Sequence, residues 1–155
     1  MNIEALAADC GFAACFVLTT EEFIHYERRL ADGALHWAGT DLTVDLKATN
    51  PWANAILTLI LPYRPYADEI PVSGNYPSSD AAFHASNRLM EQLHASGIQA
   101  ERAYVPIREL LTRNGIGVML KNGLTYIPGF GTRYSVQTLI ANLPEPNYTP
   151  KREPI

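Results

Sequence analysis

The run Ala55-Ile-Leu-Thr-Leu-Ile-Leu61 constrains this chain more than any other stretch. All but one of its residues are apolar, so neither face of an extended segment could meet water without cost. It is of strand length, rich in branched side chains and ended by Pro62, which marks it as a central strand. A second solid run, residues 12–18, Phe-Ala-Ala-Cys-Phe-Val-Leu, reads as another strand covered on both faces. Both runs fall far short of the ~20 residues that span a bilayer, so no membrane partner is expected. Strands of this kind need a layer above and a layer below. A chain of 155 residues is one domain long, and it buries roughly 70% of the surface that its unfolded form exposes.

The flanking segments supply those layers. Asn2 is placed to cap a short helix with Ile3, Leu6, Ala7 and Cys10 on one face, stopped by Gly11. Thr19-Thr-Glu-Glu22 has capping-box spacing and predicts a helix through Phe23 and Leu30, ended at Asp32-Gly33. Residues 34–54 show little periodicity and read as an irregular connection. Pro62, Pro65, Pro71, Gly74 and Pro77 predict a surface loop over 62–79, and long loops are disproportionately functional. Ser79 or Asp80 then caps a helix with Leu89, Met90 and Leu93 inward and Gly97 at its end.

Residues 98–105 read as a strand. Pro106 opens a short helix with Ile107, Leu110 and Leu111, closed by Gly115. Residues 118–120 and 124–127 flank Asn122-Gly123, the dipeptide of tight hairpins. Residues 132–140, β-branched and aromatic, form a last strand. The predicted class is α+β, a mixed α/β layer sandwich whose mostly antiparallel central sheet is flanked by helices. The domain runs over 1–143, and residues 144–155, with four prolines, form an extended tail or linker.

Composition narrows the function. Sixteen acids against 12 bases leave a net charge of -4. With no basic cluster, this argues against direct nucleic-acid binding by this domain. The charged fraction, 18%, lies below the usual ~25%, as expected where a partner, ligand or further domain covers part of the surface. Met1-Asn-Ile-Glu4 lacks the basic start of a signal peptide, so a cytoplasmic location is expected. Cys10 and Cys15, the two cysteines, cannot supply the four thiolates of an iron–sulfur cluster and are expected to be buried and reduced. His25, His36, His84 and His94 have no zinc-ligand spacing. Gly115-Ile-Gly117 follows a helix, whereas a dinucleotide fingerprint follows a strand.

The segment Arg113-Asn-Gly-Ile-Gly-Val-Met-Leu-Lys-Asn-Gly-Leu124 carries a resemblance. With the rest of residues 1–143 it is similar to the N-terminal domain of epoxyqueuosine reductases, cobalamin-dependent iron–sulfur enzymes that deoxygenate a modified tRNA base. Reductive dehalogenases are more distant kin. The family's motif is met by Arg113, Gly115, Gly117, Lys121 and Asn122, then by Pro128, Gly131 and Thr132. Cys10-Gly-Phe-Ala-Ala-Cys-Phe16 resembles the opening strand, and Asp45-Leu-Lys47 and Asn50-Pro51 lead to the strand ending in Pro62-Tyr63.

The resemblance implies a distantly nitroreductase-like fold and a corrinoid site drawing on Tyr76, His84, Gly115, Gly117, Lys121 and Asn122. Glu101 stands where the family has its general-acid aspartate, fourteen residues before Gly115. A carboxylic acid there would deliver a proton provided burial raises its pKa. The sequence departs from the family at Val118 and Leu120, where an aromatic residue and a glycine are expected. It also carries no ferredoxin-type cysteine runs, so electrons would come from a C-terminal ferredoxin-like domain or a separate donor. Two other readings stand beside this one: a non-enzymatic ligand- or protein-binding module, and a flavin-binding domain. Taken singly, Lys121 and Asn122 read as a hairpin turn, His84 as surface, and Glu101 as an exposed strand carboxylate paired with an arginine.

Overall fold

The computed structural model describes residues 1–20, 45–63 and 75–152. The expected capping-box helix, with His25, and most of the 62–79 loop lie outside the described residues, as does His36. Strand β1 (Ala14–Leu18) pairs with β2 (Ala55–Pro62), β2 with β6 (Tyr134–Ala141), and β6 with β3 (Ala100–Arg102), every pair antiparallel. The two apolar runs are therefore neighbours, and the run over 55–61 is central as expected.

Alternation of side chains along β2 builds two cores. Ala55, Leu57, Leu59 and Leu61, with Leu139 and Ala141 of β6, pack under α1 (Ile3–Asp9) and α3 (Asn75–Ala95) through Ala7, Ala82, Ala85, Leu89 and Leu93. Ile56 and Ile60, with Leu18 and Ile140, face the other way. They meet Leu46 of α2 (Leu46–Thr49), Leu110 and Leu111 of α4 (Ile107–Arg113), and Ile116 and Ile127. The result is the three-layer α+β sandwich, with each fully buried Leu or Ile contributing ~1.5–3 kcal/mol.

Local chemistry sets the ends of the elements. The Asn2 side chain accepts from Ala5 N at 3.1 Å and caps α1. Within the stretch expected to be irregular, Asp45 caps the single turn of α2 by accepting from Ala48 N. Pro62 ends β2 without breaking it. Ala13 N donates to Ile60 O, so even-numbered residues of β2 turn their backbone groups toward β1. The missing N–H of Pro62 falls beyond the start of β1, while Tyr63 N still donates to Arg133 O at 3.1 Å.

Three expected boundaries move. Helix α3 begins at Asn75, not at Ser79 or Asp80. Pro77 lies in its first turn, where a backbone N–H has no helical acceptor and none is missed. Strand β3 has three residues rather than eight, because Ala103 and Val105 turn under α4 and join its core. The hairpin of β4 (Val118–Met119) and β5 (Thr125–Tyr126) forms where expected, but its turn is centred on Lys121-Asn122. Gly123 N donates to Leu120 O, and Gly123, at φ +83°, takes the left-handed position that follows. Asn122 keeps an ordinary negative φ.

After β6 the chain crosses the surface. Asn54 clamps Leu143 by both backbone groups, at 2.7 and 2.9 Å, and the Tyr148 hydroxyl donates to Asn54 O. Thr149 N donates to Val17 O, the Thr149 hydroxyl accepts from Val17 N, and Arg152 N donates to Asn114 O. The outer edge of β1 is thereby covered. Among the described residues no helix is long and apolar enough to cross a membrane.

Candidate functional site

Helix α4 delivers the glycine motif. Its last turn is tied by Arg113 Nη2 to Glu109 Oε1 at 2.8 Å. Gly115, at φ +67°, reverses the chain, and Ile116 N and Gly117 N both donate to Leu111 O. Neither glycine opens onto space. A Cβ on Gly115 would collide with the backbone of Arg152, and one on Gly117 would lie 2.7 Å from Thr125 Cγ2 and 3.3 Å from Tyr126 O. The close backbone approach that the motif permits is taken by the chain's own tail and hairpin.

Lys121 and Asn122 sit exposed at the hairpin tip, where Asn122 Oδ1 accepts from Leu124 N. Val118 pairs with Tyr126, and Leu120 N donates to Leu124 O, so these four side chains share one face of the hairpin. Leu120, Leu124 and Tyr126 are each about 40% exposed, and that face is apolar but for the Tyr126 hydroxyl. The opposite face carries buried Thr125 and packs on Gly117. Tyr134 braces the hairpin to the sheet, its hydroxyl donating to Thr125 O at 2.6 Å. Burial and the neighbouring Tyr63 push the Tyr134 phenol above its ordinary pKa, and it stays protonated.

Glu101 lies in the middle of β3, opposite Ile140 on the α4 side of the sheet, and is exposed. The expected pairing with an arginine is not found among the described residues. Consecutive strand residues point to opposite faces, and Arg102 is engaged on the α3 side with Ser86, Asn87 and Gln137. Glu101 has no hydrogen bond or ion pair among the described residues. His84 stands on the outer surface of α3, 61% exposed, 3.4 Å from Asp80 and edge-on to Phe83. Tyr76 is the second residue of α3, and the placement of its side chain lies outside the described residues. Structure thus brings Gly115 and Gly117 together with the base of the hairpin and sets Lys121 and Asn122 at its tip. It leaves His84 on the layer across the sheet.

Cys10 and Cys15 are free and buried. Burial raises both thiols, that of Cys15 to about 12, so neither is a thiolate at neutral pH. A surface cleft of about 630 Å³ lies elsewhere, lined by Asn2, Glu4, Val17, Ile98, Leu143 and Glu145. Sequence reasoning missed Arg102, Gln137 and Asn87 as a cluster. An arginine in a strand beside a glutamate reads as an ion pair, and only tertiary contact reveals its neutral partners.

The layered arrangement is a fold shared with two groups of solved proteins, epoxyqueuosine reductases and reductive dehalogenases. One group is epoxyqueuosine reductase. The chain is similar to that enzyme solved with an epoxyqueuosine-modified tRNA-Tyr stem loop, at TM-score 0.75 and 19% identity, over 97% of this chain and 47% of that one. The enzyme from Bacillus subtilis gives 0.76 and 19%, over 99% and 47%. The second group is represented by a catabolic reductive dehalogenase at TM-score 0.61 and 14% identity, over 98% and 21%. The chain therefore spans about half the length of the epoxyqueuosine reductases it matches. No family model and no curated protein matches its sequence.

Proposed function

We propose that this chain is the N-terminal substrate and corrinoid domain of an epoxyqueuosine reductase-like iron–sulfur oxidoreductase, inactive by itself. The observation that carries the reading is the fold, matched over nearly the whole chain by about half of each epoxyqueuosine reductase. In this reading Glu101 occupies the proton donor's position, but it is exposed in this chain, so the burial that proton delivery needs would have to come from bound substrate or a further domain. Reducing equivalents come from a ferredoxin-like domain or a donor protein, because two protonated, buried thiols hold no cluster.

The residues at Gly115 and Gly117 do not fit a corrinoid cradle, because the chain's own atoms fill the space against both glycines. This favours a second reading, a module of the same fold that binds a ligand or protein partner on the apolar hairpin face of Val118, Leu120, Leu124 and Tyr126. Cobalamin titration followed by visible absorbance separates the two, run on the full chain, on Leu120→Gly and on a chain lacking residues 146–155. The corrinoid reading expects saturable binding that tightens when the tail over Gly115 is removed. No binding by any of the three overturns it and leaves the module.

A further inference from the structure

A cluster on the other side of the sheet is built for an anion. Arg102 projects from β3 toward α3, half-buried, and Phe83 lies over its guanidinium with Cζ 4.2 Å from the ring centroid. Its Nη1 donates to Gln137 Oε1, and its Nη2 donates to Ser86 Oγ and to Asn87 Oδ1, each at 2.7 Å. Every one of these partners is neutral. Among the described residues no carboxylate approaches the guanidinium, although the chain has four more acids than bases. Asp80 reaches instead to His84, and Glu101, next in sequence, points through the opposite face of the sheet.

The consequence is a surface that only donates. Arg102 takes up the acceptor end of both amides, which fixes their orientation and turns the Gln137 and Asn87 NH2 groups away from it. Ser86 completes its hydrogen bonds by donating to Phe83 O at 2.7 Å. What remains for a ligand is two N–H groups of the guanidinium, the two amide NH2 groups and a positive charge that no carboxylate among the described residues compensates. Gln137 and Asn87 are, like Arg102, only partly buried, so a small ligand reaches them. A half-buried cation held by neutral dipoles costs desolvation that an incoming anion offsets.

We propose that Arg102, Asn87 and Gln137 form a binding site for an oxyanion, the phosphate or carboxylate group of a small molecule, with the exposed Phe83 ring flanking it. The site lies across the sheet from Glu101 and does not depend on the oxidoreductase reading.

The test is a titration of the full chain with inorganic phosphate and, separately, acetate, against sodium chloride at equal ionic strength. It is followed by NMR of the Arg102 Nε–H and of the Asn87 and Gln137 side-chain amides. Saturable shifts of these three groups, absent with chloride, are expected, and the tighter anion identifies the class. The discriminating variant is Asn87→Asp. It keeps an oxygen for Arg102 Nη2 and so keeps the fold, but it neutralises the guanidinium in place and is expected to weaken anion binding at least about tenfold. Linear shifts with no saturation, or equal affinity in Asn87→Asp, would overturn the proposal. Arg102→Gln serves as the second variant. Its thermal melt reports whether it folds, and a folded Arg102→Gln that binds phosphate as well as the parent overturns the proposal equally.

Discussion

Replacing Gly117 by alanine tests whether the glycine motif serves the fold's own packing. The backbone of Gly117 lies outside the positive-φ region, so alanine adopts it without torsional strain. The difficulty is space. The new methyl would stand 2.7 Å from Thr125 Cγ2, about 0.8 Å inside the ~3.5 Å at which carbon atoms make their best contact. Leu111 Cβ, at 3.5 Å, closes the other side. Overpacking of this kind costs ~1–3 kcal/mol, and the less flexible unfolded chain returns ~0.4–1 kcal/mol. The expected net loss is about 1–2 kcal/mol, a fall in Tm of roughly 2–8 °C for a domain of this size.

Calorimetry or chemical denaturation reads that loss, and a double-mutant cycle assigns it. Thr125→Ser removes the obstructing methyl at a cost of ~0.8 kcal/mol by itself. Combined with Gly117→Ala it should be more stable than the sum of the two by about 1 kcal/mol. Strict additivity, or a Gly117→Ala protein as stable as the parent, would refute the reasoning and free the motif glycines for a ligand.

Thr58 is fully buried in the central strand and its hydroxyl has no partner among the described residues. Thr58→Val, nearly isosteric, is therefore expected to raise stability by about 1–2 kcal/mol in urea denaturation; a destabilised variant would show that the hydroxyl is satisfied. Deleting residues 146–155 removes the Thr149 contacts to Val17 and the Arg152 contact to Asn114. The shortened chain should stay folded, about 1–3 kcal/mol weaker, with faster amide exchange at Val17, and an unfolded product would make the tail part of the core. Cys15 titrates near 12 in the fold against 9.0 ordinarily, because burial penalises its thiolate. Its contribution is complete below pH 9 and is lost as pH rises toward 12, at up to about 1.4 kcal/mol per unit. Cys15→Ala should flatten the stability profile over that window, and an unchanged slope would argue against the shift.

The sequence by itself determined the elements whose cause is local or periodic. Two apolar runs, one interrupted only by Thr58, had to become strands covered on both faces, Asn2 had to cap the turn that follows it, and Asn122-Gly123 had to mark a hairpin. The candidate site was legible only as a resemblance, carried by Arg113, Gly115, Gly117, Lys121 and Asn122; taken singly, these residues read as a helix stop and a hairpin turn. Tertiary structure alone decided what those residues touch. Pro77 fits inside α3 because the first helical turn needs no donor there, and β3 stops after three residues because α4 draws Ala103 and Val105 beneath it. Gly115 and Gly117 face the chain's own tail and hairpin, over which spacing has no say. Glu101 and Arg102 are adjacent in sequence yet lie on opposite faces of the sheet, because strand side chains alternate and an edge strand offers each a different neighbour. Contacts between segments distant along the chain are fixed by packing free energy summed over the whole core, and no local pattern encodes that sum.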